Sequence, residues 1–241
     1  MVSRHVPVAV RRELRREVNY SCAYCGTPLV QYHHIVPFHE DEHHDPDRMI
    51  ALCPTCHAEA DAGTISREKL YELKNNPAIS DLVEHEFYFE SKQRMLGLGN
   101  VGVKIHDGQE GKSPVLRVDG ETLIEVGYVD GVLQFVTNFH SKDGRGIAQI
   151  SNGEWWVSTE SAWDMEYKKK TLKLWSSEEN LAFAVRYDPE TDQVDIVGRF
   201  HSNGKRVIVS TDYGVVVPEL NFSIRDLAFS IGDGPGAVLD I

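Results

Sequence analysis

The sequence lacks any apolar run long enough to span a bilayer, and its first residues, MVSRHVPVAVRREL, lack the apolar core of a signal peptide. It also lacks a disordered composition, because 41% of its residues are hydrophobic and 26% are charged. These absences favour a globular cytoplasmic protein with no membrane partner. A chain of 241 residues has room for one large domain or two modest ones.

An excess of positive charge is also missing. The formal net charge is −12, which argues against binding nucleic acid with the whole surface. Residues 1–80 carry 9 Lys and Arg against 11 Asp and Glu, whereas residues 81–241 carry 16 against 26. A helix is predicted from Pro7 to Val18, and its arginines form the densest basic cluster. We expect phosphate contacts from this cluster, and the alternative is a solvated charged face. Its members are Arg11, Arg12, Arg15 and Arg16.

Cysteine is scarce, and all of it lies in one short segment. The four cysteines form two C-x-x-C pairs, Cys22 with Cys25 and Cys53 with Cys56. A disulfide framework is typical of small secreted chains, whereas paired C-x-x-C spacing predicts a tetrahedral thiolate site for structural Zn²⁺. Four free buried thiols are the alternative.

Short predicted elements surround the cysteine pairs. We expect a short strand at Val30–Pro37 and a charged loop from His39 to Asp47 that leads to the run Met49–Leu52. A helix should follow from Pro54 to a cap at Gly63. Ser66 should cap a further helix that runs to about Lys74.

After Pro77 the pattern becomes one of short apolar or alternating runs. Asp-Gly and Asn-Gly pairs between such runs are strong hairpin signals. The pairs are Asp107-Gly108, Asp119-Gly120, Asp130-Gly131, Asp143-Gly144, Asn152-Gly153 and Asn203-Gly204. The predicted strands are Val101–Ile105, Val115–Val118, Thr122–Val126, Val132–Phe139, Trp155–Val157, Thr171–Trp175, Leu181–Tyr187, Val194–Val197, Val207–Ser210, Gly214–Val217, Asn221–Ile224 and Leu227–Ile231. The sequence therefore predicts an α+β protein. Residues 1–78 form its first domain, and residues 79–241 form an all-β sandwich, barrel or solenoid.

Three histidines and a carboxylate concentrate around the cysteine pairs. His57 and Asp61 are four apart on a predicted helix, so their side chains leave the same face. His33 and His34 are adjacent on a strand and should point in different directions. Imidazole and carboxylate suit a divalent cation, and a neutral histidine can take a proton from an attacking water. This combination is sufficient for metal-assisted phosphodiester hydrolysis.

Residues 20–62 resemble the HNH endonuclease family, whose ββα-metal finger often carries two C-x-x-C knuckles. The resemblance implies that His33 is a metal ligand and that His34 is the general base. The resemblance also implies that His57 is a metal ligand. Asp61 occupies a position where many members have a further histidine. The implied cation is Mg²⁺ or another divalent ion such as Mn²⁺ or Ni²⁺.

One motif position departs from the family. The asparagine that orders the loop between the strands is Arg48 here, so the resemblance leaves the order of this loop open. We hypothesise that Arg48 contacts a phosphate. The other loop histidines, His39, His43 and His44, lie among acidic residues and are expected to be solvated.

The sequence thus predicts a metal-dependent endonuclease that nicks or cuts DNA, with restriction or antiviral defence as the analogous setting. The alternatives are a non-catalytic zinc-binding interaction module and an RNA-cleaving nuclease. The acidic β domain would recognise a small ligand, bind a protein or drive homo-oligomer formation.

Overall fold

A computed structural model describes residues 3–89, 92–106, 111–231 and 238–241. The fold is α+β, with all three α-helices of the described residues in the first third of the chain. None of the helices in these ranges is both long and apolar enough to cross a membrane. The predicted turn at Asp107-Gly108 lies outside the described residues.

The first 75 residues hold a hairpin and three helices. Strands β1 and β2 pair antiparallel, with His33 opposite Ile50. Pro7 precedes the first helix, and the Ser66 hydroxyl accepts a hydrogen bond from the backbone N–H of Lys69 at the start of the third. The elements are α1 (Val8–Glu17), β1 (Gln31–His34), β2 (Met49–Leu52), α2 (Pro54–Asp61) and α3 (Arg67–Asn75).

A small apolar cluster holds these elements together. Leu14 of α1 packs with Met49 and Leu52 of β2, and Leu70 of α3 completes the cluster. The cluster also contains three of the four cysteines. So small a core gives limited stability by itself, which makes an additional staple physically useful.

The remaining strands form a sandwich with its own, larger core. Seven strands pair in the order β19-β6-β7-β8-β9-β10-β3, and a second sheet contains β11 to β17 in sequence order. The sheets face each other through stacked aromatic rings, with Phe139 4.0 Å from Phe183 and 4.7 Å from Phe200 between centroids. The strands are β3 (Leu82–Glu86), β4 (Met95–Leu98), β5 (Val101–Ile105), β6 (Lys112–Val118), β7 (Glu121–Val129), β8 (Val132–His140), β9 (Gly146–Ser151), β10 (Glu154–Ser158), β11 (Asp164–Lys168), β12 (Thr171–Ser177), β13 (Asn180–Asp188), β14 (Gln193–Ser202), β15 (Lys205–Ser210), β16 (Gly214–Val217), β17 (Phe222–Ile224), β18 (Ala228–Ile231) and β19 (Leu239–Asp240).

Four of the predicted Asp-Gly and Asn-Gly pairs form two-residue hairpin turns. In each of them both residues have positive φ, for example 50° at Asp119 and 78° at Gly120. This backbone matches the right-handed twist of the flanking strands. Gly144 also has positive φ, but it lies in a longer loop between β8 and β9.

Each predicted strand overlaps an observed strand, but several observed strands were not predicted. The strands β3 and β11 are rich in charged residues, and β9 follows the Asp143-Gly144 turn without a clear alternation. Their pairing partners supply the stabilisation that their own sequences do not signal.

The helix α1 docks against the edge of the sandwich at β11. Arg15 donates hydrogen bonds to both carboxylate oxygens of Asp164, at 3.0 Å and 2.6 Å. The Tyr20 hydroxyl donates to the backbone carbonyl of Ala162 at 2.9 Å. Arg12 lies over the Trp163 ring, 4.0 Å from its centroid. Tyr20 is also buried in the larger core, so apolar, polar and cation–π contacts together join the N-terminal elements to the sandwich.

Candidate active site and metal centres

The cysteine pairs converge from two different elements. Cys22 and Cys25 sit in a tight turn, in which the Gly26 N–H donates to the Cys22 carbonyl. Cys53 is the N-cap of α2, and its thiol accepts a hydrogen bond from the backbone N–H of Cys56. All four sulfur atoms lie within 4.8 Å of one another.

The sulfur geometry fits the predicted zinc site. The Cys25 and Cys53 sulfur atoms are 3.6 Å apart, close to the roughly 3.8 Å edge of a tetrahedron with Zn–S bonds of about 2.3 Å. Burial raises the pKa of Cys22 and of Cys56, whereas for Cys25 hydrogen bonds with Thr27 prevail over burial and lower the pKa to about 7. The convergence of the four sulfur atoms is what allows the cysteines to hold Zn²⁺ between the first turn and α2.

A second group of metal-binding side chains lies on β1 and α2. His33, His57 and Asp61 each offer a ligand atom, and these atoms lie within 4.8 Å of one another. The Nδ1 atoms of His33 and His57 are 3.3 Å and 3.1 Å from the two oxygens of Asp61. The predicted same-face placement of His57 and Asp61 on α2 is confirmed. Imidazole and carboxylate donors in this arrangement suit a divalent cation.

The surroundings of His33 keep it neutral, as a metal ligand must be. Its side chain is buried, and the ring of His57 lies at a centroid distance of 5.0 Å. Burial and the nearby His57 both lower the pKa of His33. Its lone pairs are therefore available near neutral pH.

The His34 ring leaves the strand in a different direction and packs against the loop that follows. Its Nε2 lies 3.1 Å from the backbone carbonyl of His43. Since a carbonyl only accepts, Nε2 carries the proton, and the Nδ1 of neutral His34 has a free lone pair. Burial lowers the pKa of His34. The ring is thus held in one tautomer with a basic nitrogen.

The loop between the strands is ordered by His43, contrary to the expectation that this residue is solvated. Only 7% of His43 is exposed. Its Nε2 donates to the carbonyl of Val36 at 3.0 Å, and its Nδ1 accepts from the N–H of Asp45 at 3.1 Å. The acidic flanking sequence concealed this role, because the contacts depend on how the loop closes. The adjacent His44 bonds to the carbonyl of Ser3, while His39 is exposed.

Arg48 also stabilises this loop. Its guanidinium pairs with Asp41 at 2.6 Å and with Asp45 at 3.0 Å. The order that the family's asparagine provides is therefore supplied here by His43 and by the Arg48 ion pairs. Because two carboxylates already neutralise Arg48, its predicted phosphate contact would require exchange of these partners.

The three candidate metal ligands and His34 open onto one cavity of about 740 Å³. Its walls include His33 and His34 from β1 and His57 and Asp61 from α2. Arg4, which precedes α1, also lines the cavity. The cavity therefore brings candidate metal ligands and a candidate base to the same solvent-accessible space.

The predicted phosphate-binding arginines of α1 separate into two groups. Arg15 is buried in its ion pair with Asp164, so its predicted phosphate contact would require this pair to open. Arg12 is partly engaged by the same carboxylate and by Trp163. Arg11 and Arg16 have no ion pair within the described residues and stay candidates.

Comparison with known proteins agrees with this geometry. Residues 22–62 match the family model for HNH endonuclease. No curated protein and no solved structure matches the chain. The matched segment contains the four cysteines and the cluster of His33, His57 and Asp61. The match therefore supports an HNH endonuclease domain at residues 22–62, a family that supports nuclease activity in general.

Proposed function

We propose that this protein is a metal-dependent endonuclease that hydrolyses phosphodiester bonds of DNA. The observation that carries the proposal is the convergence of His33, His57 and Asp61 beside His34 in one open cavity. Residues 1–78 would act as the nuclease domain, and residues 79–241 as a separate recognition, partner-binding or oligomerisation domain.

His34 would act as the general base. Its Nε2–H is held by the His43 carbonyl, which leaves Nδ1 to take a proton from a water molecule in the cavity. The water oxygen forms a bond to phosphorus as the P–O bond to the leaving oxygen breaks. Burial favours the neutral, basic form of the ring near neutral pH.

His33, His57 and Asp61 would hold the catalytic cation. A bound Mg²⁺, Mn²⁺ or Ni²⁺ would supply positive charge to the scissile phosphate and its leaving oxygen. The thiolates of the two cysteine pairs would fix the position of α2 relative to β1, so that the three ligands stay together. Zinc-bound thiolates must remain reduced, which is consistent with a cytoplasmic protein.

Plasmid cleavage tests this assignment directly. Supercoiled DNA is incubated with the full chain and Mg²⁺, Mn²⁺ or Ni²⁺, with and without a chelator. We expect metal-dependent nicking or linearisation, and a loss of at least about a hundredfold in rate for His34→Ala. His106→Ala is the matched control, since His106 is an exposed histidine of the sandwich. Equal cutting by wild type and His34→Ala would refute the assignment.

The same assay separates the other functions. Cleavage of a structured RNA with no cleavage of DNA would identify an RNA-cleaving nuclease. Binding of zinc with no cleavage of either substrate under any cation would identify a zinc-binding interaction module.

The second domain fits an enzyme whose cutting is directed by a separate recognition event. Its acidic composition and independent core would allow it to bind a small ligand, a protein or a second copy. Restriction and antiviral defence require such direction, and we place the protein in this class by analogy.

A further inference from the structure

A second cleft lies between α1, β1 and the turn that joins β11 to β12. It has a volume of about 590 Å³. Arg4 and Arg11 line it from the nuclease domain, and Lys168 and Lys169 line it from the sandwich. The cleft is thus a concave surface to which both parts of the chain contribute.

The charge of this cleft is opposite to that of the chain. Four of its lining side chains are cationic and none is acidic, although the chain has 37 Asp and Glu against 25 Lys and Arg. Among the described residues, Lys168 and Lys169 form no ion pair. The buried Nε of Arg11 also lacks a hydrogen-bond partner within the described part of the chain. Cationic side chains that line a cleft without any acidic residue among them form an electrostatic site for a polyanion.

This cleft adjoins the catalytic cavity. Arg4, Val6 and Tyr32 line both spaces. Tyr32 directly precedes His33 on β1. A polymer with a negative charge on every unit can therefore lie in the cleft while one unit reaches the cavity.

The turn between β11 and β12 has lysine at two positions where its backbone favours other residues. Lys169 and Lys170 have φ values of 51° and 56°, the left-handed region that favours glycine and asparagine. Four comparable hairpin turns in the sandwich use Asp-Gly or Asn-Gly instead. Lys170 is tied down by a hydrogen bond to the Tyr88 carbonyl. Lysine at these positions costs stability, and such strain is commonly retained where the side chain has a function.

We infer that this cleft binds the phosphodiester backbone of double-stranded DNA next to the catalytic cavity, with Lys168 and Lys169 of the sandwich contacting phosphates. The inference rests on the proposed nuclease function and extends it. It assigns part of the DNA-binding surface to a domain whose overall charge is strongly acidic.

Binding of a fluorescein-labelled 30-base-pair duplex to the full chain tests the inference by anisotropy across a salt series. The variant Lys168→Gln/Lys169→Gln should weaken binding on the order of tenfold at low salt and reduce the salt slope by about two, one for each lost phosphate contact. The matched control is Lys104→Gln, an exposed lysine on β5 outside the cleft. Its affinity and salt slope should equal those of the wild type.

A second variant separates binding from folding. Lys169→Gly removes one charge and relieves the left-handed backbone, so it should raise Tm while it weakens duplex binding. Unchanged affinity and salt slope in both cleft variants would overturn the inference.

The proposed nuclease function can be refuted independently of the cleft. His34→Ala should bind the duplex like the wild type and lose cleavage only. Weakened binding in the cleft variants of a chain that never cuts DNA would uphold the cleft and refute the nuclease. Normal binding by those variants in a chain that cuts DNA would refute the cleft and uphold the nuclease.

Discussion

The guanidinium of Arg15 and the carboxylate of Asp164 form a buried ion pair across 149 residues of sequence, at 2.6 Å. Each side chain is only 5% exposed. Arg15 also donates to the Tyr32 hydroxyl at 2.5 Å, on the strand that carries His33 and His34. A single side chain of the first helix thus connects the sandwich to the strand that carries the candidate site residues.

Removing one partner of this pair should destabilise the protein strongly. Arg15→Met leaves the Asp164 carboxylate buried without its main counter-ion, which we expect to cost about 3–5 kcal/mol in the free energy of unfolding. Urea unfolding followed by circular dichroism measures this loss. Arg16→Met is the matched control, because Arg16 is exposed on the same helix. The double variant Arg15→Met/Asp164→Leu should recover much of the loss; if it is as unstable as Arg15→Met, the unpaired charge is not the cause.

Removing zinc should unfold the N-terminal elements around the thiolate site and leave the sandwich intact. The thiolate site is part of the smaller core, whereas all four tryptophans lie between positions 155 and 175 of the sandwich. A thiol-reactive mercurial should release about one zinc per chain. Helical circular dichroism should fall while tryptophan fluorescence changes only through Trp163, which contacts Arg12. Loss of the whole tryptophan signal would show instead that the two cores unfold together.

His43 should act as a positioning residue. His43→Ala removes both hydrogen bonds that order the loop and displaces the carbonyl that orients His34, so kcat should fall about tenfold to a hundredfold with little change in KM. His43→Gln keeps a donor and an acceptor and should restore much of kcat. His106→Ala, at an exposed position outside the cavity, is the control. A rise in KM with unchanged kcat would contradict a role in orienting the base.

Asp61 should contribute directly to cation affinity. Asp61→Ala removes the one charged ligand, and binding of Mn²⁺ measured by calorimetry should weaken at least about tenfold. Asp61→His restores a ligand of the family's usual type and should retain cleavage. Glu59→Ala serves as control, since Glu59 is an exposed acid on the same helix. Equal Mn²⁺ affinity in Asp61→Ala and wild type would remove Asp61 from the ligand set.

Local patterns in the sequence determined much of the fold and of the candidate site. Paired C-x-x-C spacing, the four-residue interval between His57 and Asp61, and the Asp-Gly and Asn-Gly turns each specify geometry within a few residues. The α+β class and the thiolate cluster therefore followed from local patterns, whereas the grouping of His33 with His57 and Asp61 was implied by the resemblance to the HNH endonuclease family.

Only the tertiary structure decided which polar residues serve packing and which face solvent. Arg15 and Arg16 are neighbours on one basic helix, yet one is buried against Asp164 and the other is exposed. The sequence predicts that His43 is a solvated loop residue, but the fold brings Val36 and Asp45 to its ring. Lys168 and Lys169 lie in the acidic half of the chain, but docking of α1 on β11 places them beside Arg11. Contacts between residues far apart in sequence set these roles, and no local periodicity encodes them.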